Sequence, residues 1–360
     1  MILSGRLISL PYAAVWKVMA CRSLNPAIVF YCGDALDYAV FEPVLPHLPP
    51  IPIVAKNRAV QRALAREGVS SGVWPVFPRA VIMARHALHR FPLRAITKIG
   101  LRHGAYHFKQ FIRPDRYNAF DLFVFTSTQE VRLAREHGIH SGVAGGFPKL
   151  DPMFAPGARH AADAIRRERG FKPERPSVLF TATWDRSGLS AIERWYRRVH
   201  ELVKEYNVMV TVHPQTSRRY VHALQNEGVH LIREARIWPY LLLADVMVGD
   251  TSSILAEFCA LDKPMITYRV GQQGRLTAEI QDMLERISLR IDSFDELSPA
   301  IARSLAQPDA QSAERRRASA LMFDELDGAH GIRTAHHIMK ILRERGILGA
   351  DAGEISAPVP

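Results

Sequence analysis

The chain has 360 residues, 48% hydrophobic and 23% charged, with 5 Trp and 16 Phe. This composition excludes a disordered or fibrous chain and supplies core for two domains of roughly 150 residues each. Three cysteines without C-x-x-C spacing suggest neither a disulfide framework nor a zinc site and fit a reducing cytoplasm.

No run reaches the roughly 18 apolar residues of a membrane span. The opening stretch, Met1 to Ala20, is interrupted by Arg6, Pro11 and Lys17. It reads as chain packed on the first domain, with an interfacial membrane anchor as the alternative. The formal charge of +11 lies in the first third: residues 1–120 carry 16 Lys and Arg against 5 Asp and Glu, and the remainder 31 against 31. Such a field suits a polyanion or an anionic leaflet, or is a solvated basic face. No nucleic-acid-binding signature accompanies it, so nucleic acid is not expected as a partner.

In chain order, Ala27 to Tyr31 is a short apolar run that stops at Cys32-Gly33-Asp34, a buried strand leading into a loop. Ile51 to Ala55 follows as a strand and Asn57 to Glu67 as a helix. Val73 to Val76, Ile96 to Gly100 and Leu122 to Thr126 are further strands. In the second half, Ser177 to Ala182 and Asn207 to Val212 are strands separated by a helix over Ser190 to Tyr206. Then come a helix over Ser217 to Glu227, a strand at Val229 to Ile232, a helix near Ile237 to Ala244, and the strand Asp245 to Gly249. A helix to about Leu261 and the strand Pro264 to Tyr268 complete the series.

This alternation predicts an α/β chain of two doubly wound Rossmann-like domains facing across a cleft, the GT-B arrangement. The expected organisation is an N-terminal domain over 1–160, a nucleotide-binding domain over 170–311, C-terminal helices over 312–346 and a loose tail over 347–360.

Doubly wound sheets bind ligands at the carboxyl ends of their strands, and the candidate residues lie there. Gly249-Asp250-Thr251-Ser252-Ser253 ends a strand and opens a helix, a pattern that offers backbone N–H groups and hydroxyls to a phosphate. The bland alternative is helix capping by the same residues. Glu257 lies four residues after Ser253, within reach of ribose hydroxyls. Thr183, in Thr181-Ala182-Thr183-Trp184-Asp185, ends the strand that opens the second domain. His213-Pro214 directly follows an apolar strand, where an imidazole can donate to a phosphate or leaving group. His103-Gly104 follows another, where a histidine beside a glycine can act as general base. His107 pairs with His103 at helical spacing but without a third ligand, so no metal site is expected. Arg102, Lys109, Arg113 and Arg116 are candidates for an anionic acceptor, or ordinary surface charge.

Together the segments Leu101-Arg102-His103-Gly104, Gly146-Phe147-Pro148-Lys149-Leu150-Asp151, His213-Pro214 and Asp250-Thr251-Ser252-Ser253, with Glu257 and Lys263-Pro264 beyond, resemble the CDP-glycerol glycerophosphotransferase family of teichoic-acid and capsule assembly. The resemblance covers about 100 to 270. Two departures remove positive charge: Asp185 stands where the family commonly has Arg, and Thr211 where it often has a basic residue.

The resemblance implies attack by an acceptor hydroxyl on the β-phosphorus of CDP-glycerol, with CMP released. In that scheme His103 is the base, and His213 with Thr251, Ser252 and Ser253 steadies the diphosphate. Thr183 and Asp250 complete the donor pocket and Glu257 holds the ribose. No cofactor or metal is implied. The implied partners are CDP-glycerol or a related nucleotide donor and an anionic or lipid-linked polymer acceptor. The expected location is the cytoplasm, from the cysteine usage, with peripheral contact at the inner membrane face as an option opened by the basic first third. Two other readings stay open: a sugar-nucleotide glycosyltransferase or epimerase of the same architecture, and a noncatalytic protein that binds an anionic polymer.

Overall fold

The computed structural model of the chain describes residues 3–105, 113–271, 276 and 278–349. The chain divides into two compact units, one of Met1–His103, Ile112–Asp151 and Asp327–Pro360, the other of Gly104–Phe111 and Pro152–Leu326.

The first unit carries seven strands: β1 (Ile28–Cys32), β2 (Ile53–Ala55), β3 (Gly72–Val73), β4 (Ala80–Met83), β5 (Thr97–Leu101), β6 (Leu122–Phe125) and β7 (Gly142–Ala144). All pair in parallel, in the order β3-β2-β1-β4-β5-β6-β7. The second unit carries β8 (Ser177–Ala182), β9 (Asn207–Val212), β10 (His230–Leu231), β11 (Val246–Gly249), β12 (Met265–Tyr268) and β13 (Leu289–Ile291), again all parallel, in the order β10-β9-β8-β11-β12-β13. Each sheet reverses direction beside its first strand, the doubly wound topology whose ligand sites lie at the carboxyl ends next to the reversal. In the first unit that point is β1/β4, and in the second β8/β11.

The central strands are apolar because both faces are covered. Every residue of β1, β4 and β8 is buried. In the second unit Phe180 on β8 packs with Trp195, and Tyr220 and Ile301 belong to the same core. The expected helix over Ser190 to Tyr206 is broken into a short α-turn at Ile192–Trp195 and a 3-10 turn at Val199–Leu202. The segment expected as one block of C-terminal helices, 312–346, is divided: helix Ser312–Phe323 stays with the second unit and helix His330–Glu344 belongs to the first.

Asp151 seats that last helix. Its two carboxylate oxygens accept from the His330 amide (3.1 Å) and the Gly331 amide (2.6 Å), a cap that satisfies two otherwise orphaned donors. Gly146 adopts φ +83°, and a Cβ there would lie 2.0 Å from the His330 ring. A Cβ at Gly331 would lie 2.3 Å from the Pro43 carbonyl oxygen. The Gly146 to Asp151 element is therefore a dock for the returning helix, not only a turn.

The opening stretch forms the helix Leu3–Cys21 and is tied down by Tyr12, whose hydroxyl donates to the Val76 carbonyl (2.7 Å), and Trp16, whose Nε1 donates to the Pro78 carbonyl (2.8 Å). Leu10, Val15 and Val18 on this helix are 77%, 43% and 54% exposed. No helix among the described residues is long and apolar enough to cross a membrane.

Candidate functional site

In the first unit, β5 ends at Leu101 and delivers Arg102 and His103 to the carboxyl edge of the sheet. The Nδ1 of His103 lies 3.1 Å from the Ala84 carbonyl oxygen, just past the end of β4. A carbonyl only accepts, so Nδ1 carries the proton, and in the neutral ring Nε2 keeps its lone pair. The His103 residue is exposed, yet protein crowds the ring. That desolvation first, and then the positive charges of Arg85 and Arg102, lower its pKa to about 3. An accessible ring feels desolvation less than a sealed one would, but the neutral form at pH 7 stands in either case.

His86 is lowered to about 4, by burial first. Its Nδ1 donates to the Arg116 carbonyl (3.3 Å) while its ring packs among Tyr117, Phe120 and Phe123.

Arg102 does not face an acceptor. It is 4% exposed, donates to the Tyr117 hydroxyl (3.0 Å) and pairs with Glu130, which is 2% exposed. Glu130 also takes the Thr126 amide (2.9 Å) and hydroxyl (3.0 Å). The expectation of a surface cation is corrected: a buried guanidinium over the Phe125 ring is internal, because Glu130 from helix Thr128–Glu136 compensates its charge. Arg113 and Arg116 are exposed, Arg113 in a local pair with Asp115 (2.9 Å). Lys109, like Tyr106 and His107, lies outside the described residues.

Sequence reasoning missed one group here. Asp37 is fully buried and accepts from the Gly33 amide (2.8 Å), the Asp34 amide (3.0 Å) and Arg85 Nε (2.6 Å). Burial pushes the Asp37 carboxyl up to about 6, against the pull of Arg85. The partners are 48 residues apart, so no local pattern could have paired them.

In the second unit, β9 ends at Val212 and presents an exposed His213. Its Nδ1 accepts from the Gln215 amide at 3.1 Å. An amide only donates, so the proton of the neutral ring sits on Nε2, the tautomer opposite to that of His103. The loop after His213 is held at its far end by Asp185, whose oxygens accept the Ser217 amide (2.8 Å) and hydroxyl (2.6 Å). Burial raises the Asp185 carboxyl, but the two Ser217 donors outweigh it and the net shift is downward. The departure from Arg at this position thus has a structural use.

Asp250 is also corrected. It is 0% exposed and gathers the Thr183 amide and hydroxyl, the Ala191 amide, and the amides of Thr251 and Ser252. Such a carboxylate organises the β8/β11 edge and has no face for a ligand. Thr183 (3%), Thr251 (1%) and Ser252 (9%) are buried in the same network: Thr183 meets the Thr251 hydroxyl at 3.2 Å, and Thr181 donates to Ser252 at 3.2 Å. Ser253 is partly exposed, and a Cβ at Gly104 would come 3.1 Å from its Oγ. Glu257 is 2% exposed, closed to a ribose as it stands. Lys263 caps a helix end, donating to the carbonyls of Leu242 (2.5 Å) and Ala244 (2.7 Å).

Two all-parallel sheets wound in this order define a protein built from two Rossmann-like domains. The family described as CDP-Glycerol:Poly(glycerophosphate) glycerophosphotransferase matches residues 86–340, and the chain belongs to it.

The teichoic acid glycerol-phosphate primase of Bacillus subtilis is 22% identical over 158 residues, 42% of this chain and 40% of that protein. The teichoic acid poly(ribitol-phosphate) polymerase of Bacillus spizizenii is 22% identical over 239 residues, 60% of this chain and 37% of that protein. The chain spans about two fifths of the length of these curated relatives. Among solved structures, a variant of the wall teichoic acid polymerase TagF superposes with TM-score 0.69 at 13% identity, over 95% of this chain and 97% of that one. The UDP-GlcNAc 2-epimerase of Neisseria meningitidis superposes with TM-score 0.52 at 12% identity, over 88% and 99%.

Proposed function

We propose that the chain transfers glycerol phosphate, or a related polyol phosphate, from CDP-glycerol to an acceptor hydroxyl in cell-surface polymer synthesis. The observation that carries this reading is the pair of opposite tautomers. His103 Nε2 has a lone pair to receive the proton of an acceptor hydroxyl, and His213, exposed at the end of β9, carries its ring proton on Nε2, the form suited to a phosphate oxygen.

The acceptor oxygen bonds to the β-phosphorus as the bond from that phosphorus to the bridging oxygen breaks, and CMP leaves with the electron pair. The hydroxyl proton passes to His103. In the free protein this imidazole is a weak base; a phosphate brought near it offsets the charges of Arg85 and Arg102 and raises its proton affinity. His213 stabilises the charge that grows on the diphosphate. The buried Asp250 network keeps the β8/β11 edge fixed, so that little rearrangement is needed during the reaction.

The acceptor is an anionic or lipid-linked polymer, and the protein acts peripherally at the cytoplasmic membrane face. Support comes from the excess of basic residues in 1–120, the free thiols of Cys21, Cys32 and Cys259, and the exposed Leu10, Val15, Val18 and Leu24. Incubation with CDP-glycerol and a glycerol-phosphate acceptor, set against UDP-sugars, tests the reading. CMP release with phosphodiester formation is expected; UDP release or no CMP overturns it.

A further inference from the structure

We propose that Arg85 is the residue that receives the phosphate carried by the acceptor next to its attacking hydroxyl. The inference rests on the transfer reading for the identity of that phosphate and adds a residue to it. Arg85 stands just outside the 86–340 span that matches the family, two residues past the end of β4 at the reversal point of the first sheet.

Three observations converge on it. Its guanidinium is aimed by a single atom: Nε donates to Asp37 at 2.6 Å, and Asp37 is immobilised by the Gly33 and Asp34 amides. A guanidinium presents two parallel N–H edges, and binding through Nε leaves the edge formed by the two terminal nitrogens for another oxyanion. The side chain is 38% exposed while Asp37 is 1% exposed, so the pair is anchored below and open above.

Arg85 also adjoins the proposed base, because the preceding residue, Ala84, accepts the His103 Nδ1 proton. Arg85 is the foremost charge acting to keep that imidazole neutral. A phosphate on Arg85 therefore neutralises the cation that weakens His103, and strengthens the base when an acceptor is present. A residue whose only task was to balance Asp37 would need neither the exposed edge nor this neighbour.

The test is direct titration of the full chain, without turnover, using glycerol 3-phosphate, uncharged glycerol and, separately, CDP-glycerol. Three proteins are compared: the natural one, Arg85→Lys, and the double variant Arg85→Gln with Asp37→Asn, which removes both charges and keeps an amide pair against unfolding. The natural protein is expected to bind glycerol 3-phosphate at least about 10-fold more tightly than either variant, the effect of losing one charge-assisted bidentate contact. CDP-glycerol affinity is expected to be equal in all three. The His103 imidazole pKa, followed by NMR, is expected to rise when glycerol 3-phosphate is added to the natural protein and to stay put in the double variant.

Equal glycerol 3-phosphate binding in all three proteins, or none by the natural one, overturns the assignment. So does a parallel loss of CDP-glycerol binding in the variants. Failure of the natural protein to bind CDP-glycerol counts against the transfer reading alone, since the glycerol 3-phosphate comparison still decides Arg85.

Discussion

Thr183 and Asp250 meet twice, through the threonine amide at 3.0 Å and its hydroxyl at 2.9 Å, and so tie the end of β8 to the end of β11. Because Asp250 also collects the amides of Ala191, Thr251 and Ser252, its loss leaves several buried donors without an acceptor. Asp250→Ala is expected to destabilise the second unit by at least about 3 kcal/mol, and Thr183→Val, which removes one hydroxyl and keeps the amide, by about 1 kcal/mol. Denaturant titration checks both. Equal, small effects would mean that the network is not what holds this edge.

The neutral state of His103 makes a pH prediction. Its folded pKa is lowered to about 3 and that of His86 to about 4, against about 6.5 for an unfolded histidine. A lowered histidine contributes stability that is complete above pH 6.5 and is lost as pH falls toward the folded value, because the unfolded chain binds the proton first. Asp37, raised to about 6, works the other way between about pH 6 and 4, where its protonation favours the fold. With two groups against one, stability should fall on acidification below pH 6.5, less steeply in His103→Asn. An imidazole signal of His103 that titrates near 6.5 in the free protein would refute the assigned environment.

For catalysis the expectation is that His103→Ala and His213→Ala each lower turnover at least about 100-fold with the fold unchanged by circular dichroism, the low end for a proton-transfer group. The acid limb of kcat/KM should lie below pH 5, not at the usual histidine value. Near-normal rates in both variants would reject the roles assigned to the two histidines.

How much of this was legible beforehand follows from the range of each interaction. β8 and β9 were readable to the residue, since a buried parallel strand is an uninterrupted apolar run with a polar stop. His103 and His213 could be placed at strand ends for the same reason. β4 and the edge strands β7 and β13 are not anticipated, β7 and β13 because three residues that include a glycine or an arginine carry too little pattern. From sequence alone Arg102 reads as an acceptor contact or surface charge and Asp250 as a donor contact or helix cap, yet both are buried. Sequence shows a charge but not Glu130, 28 residues on, or Thr183, 67 residues back, that encloses it. Nothing local announces that helix His330–Glu344 returns to the first unit, since its partner Asp151 is 179 residues away.

Asp185 should separate catalysis from stability. Removing its carboxylate frees the Ser217 amide and hydroxyl and loosens the start of helix Arg218–Gln225, worth about 1 kcal/mol for a cap. The same loop carries His213, so Asp185→Ala is expected to lower kcat about 10-fold while the melting midpoint moves by only a few degrees. An unchanged kcat would mean that His213 is fixed by other contacts.

The dock for the last helix gives the sharpest structural test. Gly146 combines a left-handed backbone (φ +83°) with a Cβ position 2.0 Å from the His330 ring, so Gly146→Ala meets both strain and a clash. Left-handed backbone alone costs a non-glycine residue about 1–2 kcal/mol, and His330, 1% exposed, has no room to retreat. The expected loss is at least about 2 kcal/mol, with faster proteolysis within His330–Glu344 than within β8 or β9. Asp151→Ala should act in the same direction by about 1 kcal/mol, through the His330 and Gly331 amides it leaves uncapped. The two substitutions share the ring and helix start they disturb, so their combined effect should fall short of the sum. Full additivity, or cleavage that begins in the second unit, would show that the glycine and the aspartate do not act on one latch.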